Sequence, residues 1–226
     1  NGQHPYSLRW FAGVTAGSEL NNTLTAIAQH PSLFVNQSIA VYKYGDSPFD
    51  DKHGISFWWS QYMREQTATW LPAMKKAGLK VMPYATDTSN AFKMEAIWAN
   101  QTAVIADLIS IAHSYGFDGW FVDYEAEAPA EWAESVDESP RYALFLDSMG
   151  TAFHAAKPPL TLGAYVNEGW TKTSSNYPAV ANSATDAIVS GAIYGNVTDG
   201  EWTDTGRLVE AVIASSNPDC SRASIG

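Results

Sequence analysis

Gly116-Phe117-Asp118-Gly119-Trp120-Phe121-Val122-Asp123-Tyr124-Glu125 is the stretch that decides the fold. Apolar residues at 120–122 stand between a Gly-Phe-Asp-Gly lead and an acidic end. That reads as a buried strand, expected over Asp118–Glu125, with carboxylates at its exit. Strand side chains alternate, so Gly119, Phe121, Asp123 and Glu125 share one face, and Asp118, Trp120, Val122 and Tyr124 the other. Asp123 and Glu125 are then neighbours roughly 7 Å apart along the strand. In a partly dry pocket, carboxylates so placed raise one another's proton affinity. One of them can stay protonated near neutral pH and act as a general acid.

The same alternation of strand and helix extends outward in both directions. Before the stretch, strands are expected at Ser7–Val14, Ser38–Tyr44 and Leu79–Ala85. Helices are expected at Glu19–Gln29, Phe57–Ala77 and Lys93–Tyr115. Gly78 and Gly116 stand where helices stop. After it come a helix over Arg141–Ala156 that ends before Pro158 and Pro159, and a strand over Leu160–Val166. A strand over Ala187–Tyr194 and a helix over Thr205–Ser215 follow. Arg222–Gly226 reads as a strand just beginning. Six strands alternating with helices indicate βα units and a parallel sheet.

A doubly wound sheet should carry a Gly-rich phosphate loop after its first strand. Gly13-Val14-Thr15-Ala16-Gly17 matches neither such pattern. Polar residues instead follow the strands: Asp46, Thr86-Asp87, Asp123 and Glu125, Asn167-Glu168, and Asn196. That arrangement suits a (β/α)8 barrel, whose active site lies at the C-terminal ends of its strands. The expected fold is therefore a single α/β barrel domain over residues 1–226, with about six units visible and its last strands missing. The absent C-terminal barrel segment would then be a partner of this chain.

Composition narrows the function classes. The 226 residues carry 13 Lys and Arg against 24 Asp and Glu, a net charge of −11. Nucleic-acid binding needs a basic footprint, which this balance lacks. No apolar run reaches the ~18 residues of a membrane span. The five His form no metal-binding pattern, so neither a metal nor another cofactor is expected. Nine Trp and eleven Tyr supply flat faces suited to sugar rings. The chain starts at Asn1 with no leader-like segment, and four Asn-x-Ser/Thr sequons occur, at Asn21, Asn36, Asn100 and Asn196. A secreted or secretory-lumen protein is expected. Cys220 is the single cysteine and forms no disulfide within the chain.

The decisive segment resembles the signatures of glycoside hydrolase families 18 and 85. Family 18 shows Asp-Gly-x-Asp-x-Asp-x-Glu; Asp118, Gly119, Asp123 and Glu125 match, and Phe121 replaces the middle Asp. Family 85 shows Gly-Phe-Asp-Gly-Trp-apolar-x-Asn-x-Glu; Gly116 to Phe121 and Glu125 match, and Asp123 stands in place of Asn. Family 18's Ser-x-Gly-Gly is absent, with Pro83-Tyr84-Ala85-Thr86-Asp87 in its place.

Both families are barrels, and the resemblance implies substrate-assisted, retaining cleavage of β-1,4 bonds next to N-acetylglucosamine. Glu125 would protonate the glycosidic oxygen. The substrate's own acetamido oxygen would attack the anomeric carbon, with Asp123 holding the acetamido N–H. Tyr194 would donate to the acetamido carbonyl. Phe121, Tyr84, Asp87, Asn167, Glu168 and Trp170 are expected to line the substrate. The expected substrate is an N-acetylglucosamine-containing oligosaccharide or glycoprotein, with the N-glycan core favoured by Gly-Phe-Asp-Gly-Trp. A family 18 type chitinase, or a lectin that kept the barrel and lost turnover, are the alternatives. Asp118, facing away from Asp123, is expected to cap neighbouring backbone.

Overall fold

The structure is a computed structural model. It describes residues 11–14, 18–30, 38–41, 56–57, 68, 71–76, 78–87, 98–124, 139–166, 177–190, 201–219 and 222–225. One sheet holds β1 (Phe11–Val14), β2 (Ser38–Val41), β3 (Ser56–Phe57), β4 (Lys80–Asp87), β5 (Gly119–Tyr124), β6 (Thr161–Val166), β7 (Ala187–Ser190) and β8 (Ala223–Ile225). Between strands lie α1 (Ser18–Gln29), α2 (Gln101–Tyr115), α3 (Ser139–Ala155), α4 (Tyr177–Ala181) and α5 (Glu201–Ala214), with a helical segment at 71–76 before β4.

Among the described residues, seven strands are parallel and stand in chain order, β1-β2-β4-β5-β6-β7-β8. A doubly wound sheet reverses its order at a switch point. The order here does not reverse, so each crossover steps to the next strand in one direction, the winding that barrels use. The remaining described strand, β3, runs antiparallel, pairing Ser56 with Thr86 and Phe57 with Ala85 along the far half of β4.

The two faces of the sheet bury different residues. Val81 and Ala85 of β4, Trp120 and Val122 of β5, and Leu162, Ala164 and Val166 of β6 pack with Met74, Leu108, Leu146, Met149 and Phe153 in the helix-side core. Met82, Phe121, Tyr165, Ala187 and Val189 form a separate cluster on the opposite face. Continuous apolar strands such as Thr161–Val166, buried throughout, follow from coverage on both faces.

Local chemistry sets where the elements end. Gly116 takes the left-handed conformation (φ 77°), and its N–H and that of Phe117 both reach the Ala112 carbonyl. This closes α2 at the residue that bears no Cβ penalty. Gly119 answers to a different demand. A Cβ there would lie 1.8 Å from the Thr161 carbonyl oxygen, because the start of β5 presses directly on β6. Gly119→Ala must therefore push two paired strands apart. A loss of about 1–3 kcal/mol or more is expected in denaturant unfolding; a variant as stable as the parent would refute the close approach.

Two aspartates tie the sheet together at the N-terminal ends of the strands. Asp118 receives the Val81 N–H through Oδ2 (2.8 Å), while its own N–H reaches the Val81 carbonyl. Its other carboxylate oxygen pairs with Lys75. Asp186 repeats the device between β6 and β7. It accepts the Leu162 N–H (2.8 Å), its N–H bonds the Leu162 carbonyl, and His154 Nε2 lies 3.0 Å from the same carboxylate oxygen. Each carboxylate supplies the acceptor for a backbone N–H near a strand start, a donor that burial obliges to find a partner. Asp118 thus caps backbone, as its face indicates.

Three expectations change. Periodicity places Phe57 in a long helix over 57–77, yet Ser56–Phe57 is a strand, and helix is described only toward that span's end. Pairing with β4 decides this, and periodicity along the chain does not register a distant partner. The strand expected to be just beginning at Arg222 is formed: Ala223–Ile225 pairs in parallel with β7 as a seventh parallel strand, one more than the six expected. The short helix Tyr177–Ala181 has no counterpart among the expected elements. No described helix is long and apolar enough to cross a membrane.

Candidate functional site

The C-terminal ends of β4, β5 and β6 lie side by side. Tyr84 pairs with Phe121, Thr86 with Asp123 and Asp87 with Tyr124. On the other side of β5, Phe121 pairs with Gly163 and Val122 with Ala164. One residue further along both strands stand Asp123 and Tyr165. Alternation places position 123 on the face of Phe121, away from the helices. The split of residues expected for this strand is the split observed: Trp120 and Val122 are in the helix-side core, and Phe121 is in the opposite cluster.

Helix packing holds this strand trio in place. Trp120 is fully buried, and its Nε1–H donates to the Leu108 carbonyl of α2 (2.9 Å). The indole thereby keeps its polar edge satisfied inside an apolar layer. Phe117 packs edge-on against the Trp120 ring. Tyr142 of α3 donates its hydroxyl to the Tyr165 carbonyl (3.1 Å) from a fully buried position. The backbone of β6 is thus anchored beside Asp123.

Phe121 is 1% exposed and sits with Met82, Tyr165, Ala187 and Val189. It forms part of an apolar layer one step below the level of Asp123. Position 84 shares the face of Met82 by alternation on β4. Position 87 shares the face of Val81 and Ala85 instead, opposite to position 123. Position 86 is the one on β4 that is level with Asp123 in the register. Glu125, Asn167, Glu168, Trp170 and Tyr194 lie outside the described residues. Among the described residues no group of three or more His, Cys, Asp or Glu gathers as a metal site.

Tyr165 is not among the residues expected at the site. It is 7% exposed, on the inward face, at the level of Asp123. Its parity on the strand is that of Asn167, which is among the expected lining residues. Its position inside an unbroken buried strand hides its relation to Asp123, which depends on the β5–β6 register.

A singly wound parallel sheet with helices on one face is the fold of several solved chitinases. A chitinase from Chromobacterium violaceum superposes with a TM-score of 0.66 at 17% identity, over 97% of this chain and 68% of that one. A class V chitinase from Nicotiana tobaccum, solved in complex with NAG4, gives 0.63 at 14% identity, over 96% and 64%. The spore cortex-lytic enzyme of Bacillus cereus gives 0.60 at 15% identity, over 96% and 49%. The chain thus spans between about half and about two-thirds of the length of these structures. No curated protein sequence matches it.

The sequence profile of glycosyl hydrolase family 85 matches residues 53–172, more than half of the chain, including the whole of Gly116–Glu125. The chain belongs to that family of glycoside hydrolases.

Proposed function

We propose that this chain carries the catalytic centre of an endo-β-N-acetylglucosaminidase acting on the N-glycan core. The observation that supports this most is the family 85 match across Gly-Phe-Asp-Gly-Trp, together with the register position of Asp123, which has the parity of Phe121 on β5. In this reading the sheet closes into a (β/α)8 barrel, and the ends of β4, β5 and β6 form part of its mouth. The four sequons support a secretory route for the protein.

The reaction runs through the substrate's own amide. Glu125 donates a proton to the glycosidic oxygen as the C1–O bond breaks. The acetamido carbonyl oxygen closes onto C1 and gives an oxazoline. Asp123 holds the acetamido N–H and balances the charge that develops on it. Water then opens the ring with Glu125 as the base, so the anomeric configuration is retained. The apolar layer of Met82, Phe121 and Val189 beneath Asp123 limits water there, which strengthens these interactions. Tyr165 joins Tyr194 as a phenol able to donate to the acetamido carbonyl.

Tyr165→Phe removes that donor and leaves the ring that packs in the inward cluster. A fall in kcat of about 10²-fold is expected with little change in KM or melting temperature. A KM effect alone would make Tyr165 a wall residue.

The assay that tests the reading is mass-spectrometric product analysis on an N-glycosylated protein and, separately, a chitin oligomer. A glycan released with one N-acetylglucosamine left on Asn is the expected product. Asp123, where family 85 has Asn, and the chitinase folds above favour a second reading. Cleavage of the chitin oligomer alone would establish that reading in place of the first.

A further inference from the structure

Asn100 stands immediately before α2, and Asn100-Gln101-Thr102 is an N-glycosylation acceptor triplet. Both Asn100 and Thr102 are exposed, so the two residues that the triplet requires are on the surface together. Asn100 occupies the N-cap position of α2 without capping the helix through its side chain. Of the other three sequons, Asn21 lies within α1 near a Thr23 whose side chain is not described, and Asn36 and Asn196 lie outside the described residues.

The topology gives the position of Asn100 relative to the site. The C-terminal end of α2 leads through Gly116 into Asp118, which bonds Val81 at the start of β4. That end of the helix is therefore at the N-terminal end of the sheet. A 15-residue helix spans roughly 22 Å, so its other end, with Asn100, returns to the end of the sheet where β4 and β5 terminate. Asn100 and Asp123 are at the same end of the fold.

We propose that Asn100 is an N-glycosylation site on the rim of the candidate site. The proposal rests on the secretory reading above. In the modification, the Asn100 side-chain nitrogen forms a bond to the anomeric carbon of a lipid diphosphate-linked oligosaccharide. The sugar–phosphate bond breaks, and the amide proton leaves with the lipid diphosphate. The attached glycan begins with the N-acetylglucosamine pair whose linkage the endoglycosidase reading assigns as substrate. The protein would then carry its own substrate beside its own mouth, and hydrolysis of that linkage would add one water and leave a single sugar on Asn100.

The test is glycopeptide mass spectrometry on the full chain secreted from a eukaryotic host behind a supplied leader. Parent, Glu125→Gln and Asn100→Gln proteins are compared. A sugar on the Asn100 peptide of the Glu125→Gln protein, absent from Asn100→Gln, is the expected result. A bare Asn100 in the secreted Glu125→Gln protein overturns the site. The size of the sugar reports separately on the catalytic reading. One N-acetylhexosamine in the parent against a full oligosaccharide in Glu125→Gln supports it. A full oligosaccharide in both leaves the glycosylation site standing and removes the endoglycosidase.

Discussion

Glycan release by the Glu125→Gln protein is expected to fall by about 10²–10⁴-fold, the usual worth of a positioned general acid. The substitution keeps size and polarity and removes the proton that the leaving oxygen needs. An aglycone that leaves as a good anion does not need that proton. A nitrophenyl-type substrate should therefore recover much of the lost rate in the bond-breaking step. Melting temperature should stay within a few degrees of the parent. Equal losses on both substrates would remove Glu125 from the acid role and move the search to the neighbouring Asp123. A loss that tracks the melting temperature would make it a structural effect.

The second large effect lies at Arg222, which is 3% exposed and immediately precedes β8. Its Nε–H donates to the Thr185 carbonyl. Its Nη1 donates to the Ala181 and Asn217 carbonyls, and its Nη2 to the Ser183 carbonyl and the Thr185 hydroxyl, all at 2.9–3.1 Å. A guanidinium has five N–H donors, and all five are placed. Burial lowers the pKa of the group from its ordinary value, and the Asp186 and Asp219 carboxylates oppose that shift.

This one side chain stitches the turn after α4 and the turn after α5 to the start of β8. The alternative tie is a ladder of three residue pairs, Ala223 to Ile225 against β7. Arg222→Met keeps much of the stem volume and strands several buried acceptors at about 1–3 kcal/mol each. A destabilisation of about 3 kcal/mol or more is expected from the urea midpoint. Arg222→Lys should recover only part of it, because an ammonium has three donors and no planar fork. A midpoint for Arg222→Met that stays at the parent value would show that the network is not needed to hold β8.

The amino-acid order alone determined the alternation of strand and helix, since apolar period and stop residues are local. Gly116 ends α2, strands begin within a residue or two of their expected starts from β4 through β7, and the inward and outward residues of β5 divide as its period of two requires. Asp118 could be set apart from Asp123 on the same ground. The motif at 116–125 also carried the family, because its residue types and spacing are legible without knowing what each one touches.

Tertiary structure decided what depends on register between strands distant in sequence. Tyr165 becomes level with Asp123 only through the pairing of β5 with β6. Ser56–Phe57 becomes a strand because of how β4 is paired. Asp186 and Arg222 read as ordinary charges in the sequence. Each proves to be a buried or half-buried partner for backbone groups 24 to 41 residues away. Side-chain chemistry is inherited from the residue, but the backbone groups left to satisfy exist only once the sheet has been wound.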